Sequence, residues 1–218
     1  MALTVYTTAD GKQFAAADGT LLAVRGGLGL IFDRTPLDFA RAKTLLSKSW
    51  ASMSEEEKAE WATALKGAYN AEDINRVNNA VKELVQKALD LINTIKAYRD
   101  SKQVASDQAI ALPYTSADVS VNVSEWVYSN SDIPTKAEME TYLQNVATIR
   151  SLIDIESGNP ALPKSMEKLT IDGANSIEKS LDAAYSAQIQ TEATIKEKID
   201  RIATAWYFSG EIYAGEVS

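Results

Sequence analysis

Residues 67–98, GAYNAEDINRVNNAVKELVQKALDLINTIKAY, decide the fold. Their apolar residues recur at alternating intervals of three and four, the heptad spacing that places side chains on one face of a long helix. This face, here called the seam, consists of Ile74, Val77, Val81, Leu84, Ala88, Leu91, Ile95 and Tyr98. Val85, Leu89 and Ile92 widen the seam, which favours packing against several helices over one coiled-coil partner. Asp73 is predicted to accept hydrogen bonds from the first turn.

Composition narrows the function. The 218 residues include 22 basic and 30 acidic side chains, a net charge of -8, with no cysteine and no histidine. An acidic balance argues against nucleic-acid binding, which needs clustered Lys and Arg. The missing residue types remove thiol chemistry, the commonest general base and the commonest zinc ligand. We therefore expect no catalysis, no cofactor and no metal.

The chain ends and hydropathy argue against a membrane role. The N-terminus, MALTVYTTADG, lacks the basic start and apolar core of a signal peptide. No run approaches the apolar length of a membrane span. We expect no membrane partner.

Two regions predict small β elements. Asp10-Gly11 and Asp18-Gly19 separate short apolar runs within 1–32, a hairpin signal. Gly26, Gly27 and Gly29 do not form a dinucleotide fingerprint, because residues 30–32 are predicted to continue as a strand rather than to start a helix. The alternation over 117–123, continuing to Trp126 and Tyr128, predicts a half-buried strand.

Capping signals and periodicity predict the other helices. Thr35, Pro36 and Asp38 open a short helix to Leu46, and Ser54 opens one to Leu65. Trp61 and Leu65 lie on one side of the second helix and are expected to pack inward. A helix from about Thr135 to Ile153 and one over about 172–206 repeat the 3-4 spacing. In the last helix, the polar stretch 188–194 is either exposed or fixes register against a partner. An extended aromatic tail, 207–215, is expected to dock on another surface.

The predicted fold class is mainly α with small β elements (α+β): long amphipathic helices in a bundle, N-terminal hairpins and a short central strand region. Four segments follow from these signals. They are a β-hairpin arm over 1–32, a helical domain containing the seam over 33–105, a strand-plus-helix region over 106–170, and the long helix with its tail over 171–218.

Four segments resemble structural proteins of phages and prophages of Gram-positive, often gut-dwelling, bacteria. They are AYNAEDINRVNNAV (68–81), SDIPTKAEMETYLQNV (131–146), ANSIEKSL (174–181) and WYFSGEIYAGE (206–216). The resemblance runs from about residue 33 to the C-terminus and brings no catalytic residues with it. It implies a virion component of the tail, baseplate or fibres, made in the host cytoplasm.

Three functions are compared. The first is a non-enzymatic subunit of a phage tail, baseplate or tail-like particle, whose partners are other virion proteins and copies of itself. Its expected partner-binding residues are Ile195, Ile199, Ile202, Trp206, Tyr207, Phe208, Ile212 and Tyr213. The second is a host-surface glycan-binding module, which would use Trp126, Tyr128 and the terminal aromatic residues to stack on sugars. The third is a carboxylate-based glycosidase, for which the sequence offers no distinguishable pair of acids.

Overall fold

The computed structural model describes residues 28–62, 65–102, 110, 112, 114–123, 134–152 and 161–215; it leaves the side chains of 62, 99–102 and 202–215 undescribed. Five α-helices occur there: α1 Pro36–Leu46, α2 Glu55–Ala62, α3 Ala71–Lys102, α4 Lys136–Leu152 and α5 Ile171–Gly215. A short 3₁₀ turn, Trp50–Ser52, joins α1 and α2. Helices α3, α4 and α5 contact one another and form the central bundle.

The predicted α+β class is wrong for the described residues, which are helical and contain no strand. The two Asp-Gly hairpin signals lie outside those residues. The predicted strand over 30–32 is irregular, and the one over 117–123 begins as a turn. Burial still alternates there, with Val119 buried and its neighbours on either side exposed. Side chains of α4 and α5, rather than a neighbouring strand, bond to the backbone of both segments.

Capping fixes where the helices begin. Thr35 and Asp38 form the predicted capping box of α1, with Pro36 in the first turn. The cap of α3 differs from prediction, because Asn70 accepts hydrogen bonds from the amides of Glu72 and Asp73. Asp73 instead accepts the amide of Asn70 at 2.8 Å. The prediction placed the cap three residues too late, since Asn and Asp are equally good caps.

The seam is the core, as predicted. Seven of its eight residues are buried, from Ile74 to Ile95, and Tyr98 is partly buried. The main cluster combines the seam with one face each of α4 and α5: Tyr142, Val146, Ile149 and Leu152 from the former, and Ile177, Leu181 and Ala184 from the latter. Three helices therefore share one apolar interior, which the widened seam predicted.

Helices α3 and α5 run parallel. Arg76, near the start of α3, contacts Glu178, near the start of α5. Further along, Leu91 and Ile95 share a cluster with Ile195. The same ends therefore lie together, and each residue of α3 is level with a residue about 102 positions later.

Helix α5 is longer than predicted. It continues to Gly215, whereas the sequence predicted an extended tail from residue 207. No proline follows Pro163, so the chain contains no residue there that must end the hydrogen-bond ladder. The glycines at 210 and 215 weaken helix propensity without preventing the helix.

Helices α1 and α2 form a side unit with a small core of their own, made by Ala42, Leu45, Met53 and Leu65. Gly67 lies against the backbone of α1. A Cβ atom at Gly67 would lie 1.9 Å from the carbonyl oxygen of Asp38. The unit is thus held by a backbone approach that requires glycine.

Candidate functional site

The predicted partner-binding residues divide into two groups. Ile195 is 4% exposed, and Ile199 is partly buried beside it. Both pack within the chain against Leu91, Ile95 and Ile110. The other six lie on the last turns of α5, where the structure describes the backbone only. They are Ile202, Trp206, Tyr207, Phe208, Ile212 and Tyr213.

Among the described residues, four charged side chains meet in a largely buried cluster, here called the charged cluster: Arg34, Asp73, Arg76 and Glu178. The guanidinium of Arg34 reaches Oδ1 of Asp73 at 2.8 Å and Oε1 of Glu178 at 2.6 Å. Arg76 binds the same two carboxylates, with Nη2 at 2.9 Å from Oε1 of Glu178. Two positive and two negative groups therefore neutralise one another.

Three segments meet at the charged cluster. Arg34 comes from the segment before α1, Asp73 and Arg76 from the first turns of α3, and Glu178 from the start of α5. The amide of Ile31 donates to Oε2 of Glu178 at 2.6 Å. Beside it, Asn175 accepts the amide of Arg34 at 3.1 Å and donates to its carbonyl at 2.9 Å. An irregular segment is thereby fixed by side chains of α5.

Electrostatics favour the charged forms of both arginines. Burial alone would lower the pKa of Arg34, yet Glu178 and Asp73 outweigh it, and the pKa rises. At Arg76, too, Glu178 and Asp73 outweigh the effect of burial, and the pKa rises. Tyr69 lies under the Arg34 guanidinium, 5.3 Å from ring centroid to carbon, and its hydroxyl shares a hydrogen bond with that of Tyr142. Burial raises the pKa of Tyr69 and of Tyr142, so both hydroxyls stay protonated.

The geometry of the charged cluster is that of a structural contact between segments rather than of a catalytic pair of acids. The side chains of Asp73 and Glu178 are 4% and 0% exposed, and each is bound by two guanidinium groups. A glycosidase needs two acids that face each other across an open cleft. Asp73 and Glu178 are the acids that the fold brings together here, but both are buried and do not face an open cleft.

A second feature is an open groove of about 550 Å³ between segment 120–122 and α4. Its polar lining comprises Ser120, Asn122, Glu140, Thr141, Gln144, Asn145 and Thr148. The α4 members form pairs three and four residues apart, so they share one face of the helix. The sequence analysis did not identify this groove, because its two walls are about 20 residues apart in the chain.

A third feature is apolar surface on the side unit. Large side chains there are exposed, from Trp61 at 38% to Leu37 at 81%; the others are Phe39, Leu46 and Trp50. Trp61 was expected to pack inward with Leu65, but only Leu65 is buried. Helix α2 ends at Ala62, so the two residues no longer share a helix face.

Sequence reasoning identified neither Arg34 nor Glu178. Glu178 lies on the apolar face of α5, next to Ile177 and four residues after Ala174, and this position was the available signal. An acid there must be paired if it is buried. Trp126 and Tyr128, the predicted glycan platform, lie outside the described residues.

Comparison with known proteins gives no relative. No protein-family model, curated protein or solved structure matches this chain. Among the helices that the structure describes, none combines the length and apolarity that crossing a bilayer demands. The described residues also contain no group of three or more acidic side chains placed to bind a metal ion.

Proposed function

We propose that the chain is a non-enzymatic structural subunit of a phage tail, baseplate or tail-like particle, mediating assembly or fibre attachment. The proposal has two lines of support, one from the sequence and one from the structure. The first is the resemblance of segments 68–81, 131–146, 174–181 and 206–216 to phage structural proteins. The second is the geometry of α5.

The observation that carries the proposal is that α5 extends past α3. Because Arg76 lies level with Glu178, Lys102 at the end of α3 lies level with about residue 204. The last 11 or so residues of α5, about 16 Å at 1.5 Å per residue, therefore run beyond α3. Their sequence keeps apolar residues at heptad spacing, with Trp206 and Tyr213 seven apart.

A second copy of the chain or another virion protein is the natural partner for this extension. An apolar helical stripe gains stability by burial, and parallel pairing with a second helix is the usual means. Five of the eight partner-binding residues predicted from the sequence belong to this part of α5: Trp206, Tyr207, Phe208, Ile212 and Tyr213.

The charged cluster supports a building role. It joins the segment before α1 to two long helices and leaves both carboxylates saturated. Paired buried charges of this kind favour one arrangement of the elements over alternatives. A subunit that must present one surface to its neighbours benefits from such a rigid base.

Deletion of residues 207–218 tests the proposal. The truncated chain should keep its helical circular dichroism and its cooperative unfolding, yet fail to enter particles or form oligomers. The matched control is Gln190→Ala, at an exposed position on the same helix before the extension, which should assemble normally. A truncated chain that unfolds, together with a monomeric full-length chain by light scattering, would show that the tail is packing within one chain.

A further inference from the structure

Hydrogen bonds hold together the two walls of the groove between segment 120–122 and α4. The side chain of Asn145 is buried in its wall. Its Oδ1 accepts the amide of Asn122 at 3.2 Å, and its Nδ2 donates to the carbonyl of Asn122 at 2.9 Å. Two bonds from one amide hold the segment to α4 as a neighbouring strand would. Val119 anchors the preceding turn in the core.

The described lining offers mainly hydrogen-bonding groups. Two amides of the lining, from Asn122 and Gln144, each offer donors and an acceptor, whereas the amide of Asn145 is bonded to the backbone of Asn122. The hydroxyls of Ser120 and Thr148 add groups of both kinds. The hydroxyl of Thr141 donates to the carbonyl of Ala137 and so adds an acceptor, and Glu140 adds one exposed carboxylate.

The described lining has few side chains that would suit an anionic or an apolar ligand. Among the residues that the structure describes, no Lys or Arg lines the groove, so these residues offer no cationic group for a phosphate, sulfate or nucleic acid. Lys136 approaches Glu140 only at 3.8 Å, and both side chains are exposed. Within the same described lining, Val121 is the one apolar side chain and is partly buried, which gives a lipid or an apolar peptide too little surface.

We propose that this groove binds a neutral saccharide. Vicinal hydroxyl groups both donate and accept, and amides, hydroxyls and a carboxylate are complementary to them. A volume of about 550 Å³ is in the range of small-molecule sites and suits a short oligosaccharide. The single carboxylate of the lining supports binding and not hydrolysis, which needs two acids.

This inference goes beyond the structural role and is independent of it. A tail or baseplate subunit that binds neutral glycan would contact a cell surface as well as its neighbours. The groove lies on α4, whereas the proposed assembly surface is the end of α5. Each can therefore fail without the other.

The test uses the full-length chain and a panel of neutral tri- to hexasaccharides built from glucose, galactose and N-acetylhexosamines. Isothermal titration calorimetry should show saturable binding of at least one of them, with Kd of about 1 mM or tighter. The double variant Gln144→Ala/Thr148→Val should weaken it by about ten-fold or more.

The chain provides a matched control. Gln190 and Thr194 repeat the residue types and the spacing of Gln144 and Thr148, but at exposed positions of α5. The variant Gln190→Ala/Thr194→Val should therefore bind the saccharide within about two-fold of wild type. Circular dichroism confirms that both variants fold. No binding across the panel, a loss under about ten-fold, or an equal loss in the control overturns the proposal.

Discussion

Nη2 of Arg34 lies 2.6 Å from Oε1 of Glu178, and the contact joins residues 144 positions apart in the sequence. Both side chains are almost fully buried, at 3% and 0% exposure. The contact ties the segment before α1 to α5, and Asp73 and Arg76 extend it to α3.

Arg34→Met should lower the free energy of unfolding by about 3–5 kcal/mol, because one buried positive charge is lost while two carboxylates stay in place. Urea denaturation measures the loss. Lys196→Met is the control, since it breaks an exposed pair with Glu192 and should change stability by under about 1 kcal/mol. Equal effects of the two variants would mean that the charged cluster is solvated.

Truncating the seam should be costly. Leu84→Ala and Leu91→Ala each remove a side chain that is 2–3% exposed, so each should destabilise by about 2–5 kcal/mol. Glu83→Ala, on the exposed face of the same helix, is the control. A change within error for both leucines in thermal or urea denaturation would contradict an intramolecular core.

Gly67→Ala should destabilise the side unit. The new Cβ would lie 1.9 Å and 2.2 Å from backbone atoms of Asp38, so the chain must shift, at a cost of about 1–3 kcal/mol or more. Gly173→Ala is the contrast, because its nearest neighbour is the flexible end of Leu169 at 3.1 Å. We expect little loss there. Comparable losses in both would show that α1 yields easily.

Asp182 should give a pH-dependent signature. Its Oδ1 is buried without a hydrogen-bond partner, and burial raises its pKa above the unfolded value of 3.8. Ionisation therefore opposes folding: the penalty is absent below pH 3.8, appears as pH rises through the folded pKa, and is complete above it. Asp182→Asn should be more stable than wild type at pH 7 and equal to it near pH 3.

Asp118→Asn has the opposite sign and serves as the control for Asp182. Hydrogen bonds from Thr115 lower the pKa of Asp118, so its ionised form favours folding. This variant should lose stability at pH 7 and match wild type at low pH. Thermal melts of both variants across pH 3 to 7 give the comparison. A pH-independent difference would implicate packing instead.

Gln188 should depend on Tyr114. Gln188 is 2% exposed at a seam-facing position of α5 and accepts the hydroxyl of Tyr114 at 3.2 Å. Gln188→Leu should cost about 1–3 kcal/mol, because the buried hydroxyl loses its acceptor. Adding Tyr114→Phe should recover most of that loss. Additive losses in the double-mutant cycle would show that the two groups do not interact.

Within the polar stretch 188–194 of α5, individual side chains differ in whether they are buried or exposed. Gln188 is buried and bonded, whereas Gln190 and Thr194 are exposed. The sequence left both interpretations open because heptad position alone does not show whether a polar side chain meets a partner. Tyr114, 74 residues away, provides that partner.

The sequence by itself determined the helices and the core face. The 3-4 spacing of the seam requires burial along one side of α3, whatever covers it, and Thr35 with Asp38 satisfies free amides within four residues. These are local consequences of helix geometry. They need no knowledge of distant residues, which is why both predictions are confirmed.

Tertiary structure alone decided what the extended segments bond to. Alternating residues over 117–123 and the run 30–32 each predict an extended backbone with free amides and carbonyls, and the usual partner is another strand. Here Asn145 and Glu178 take that place, and Asn175 bonds to the backbone of Arg34 just after the second segment. A side chain on a distant helix can satisfy a backbone group as well as a strand can. The pattern of apolar residues records which side faces the core, but it does not record which group accepts the hydrogen bond.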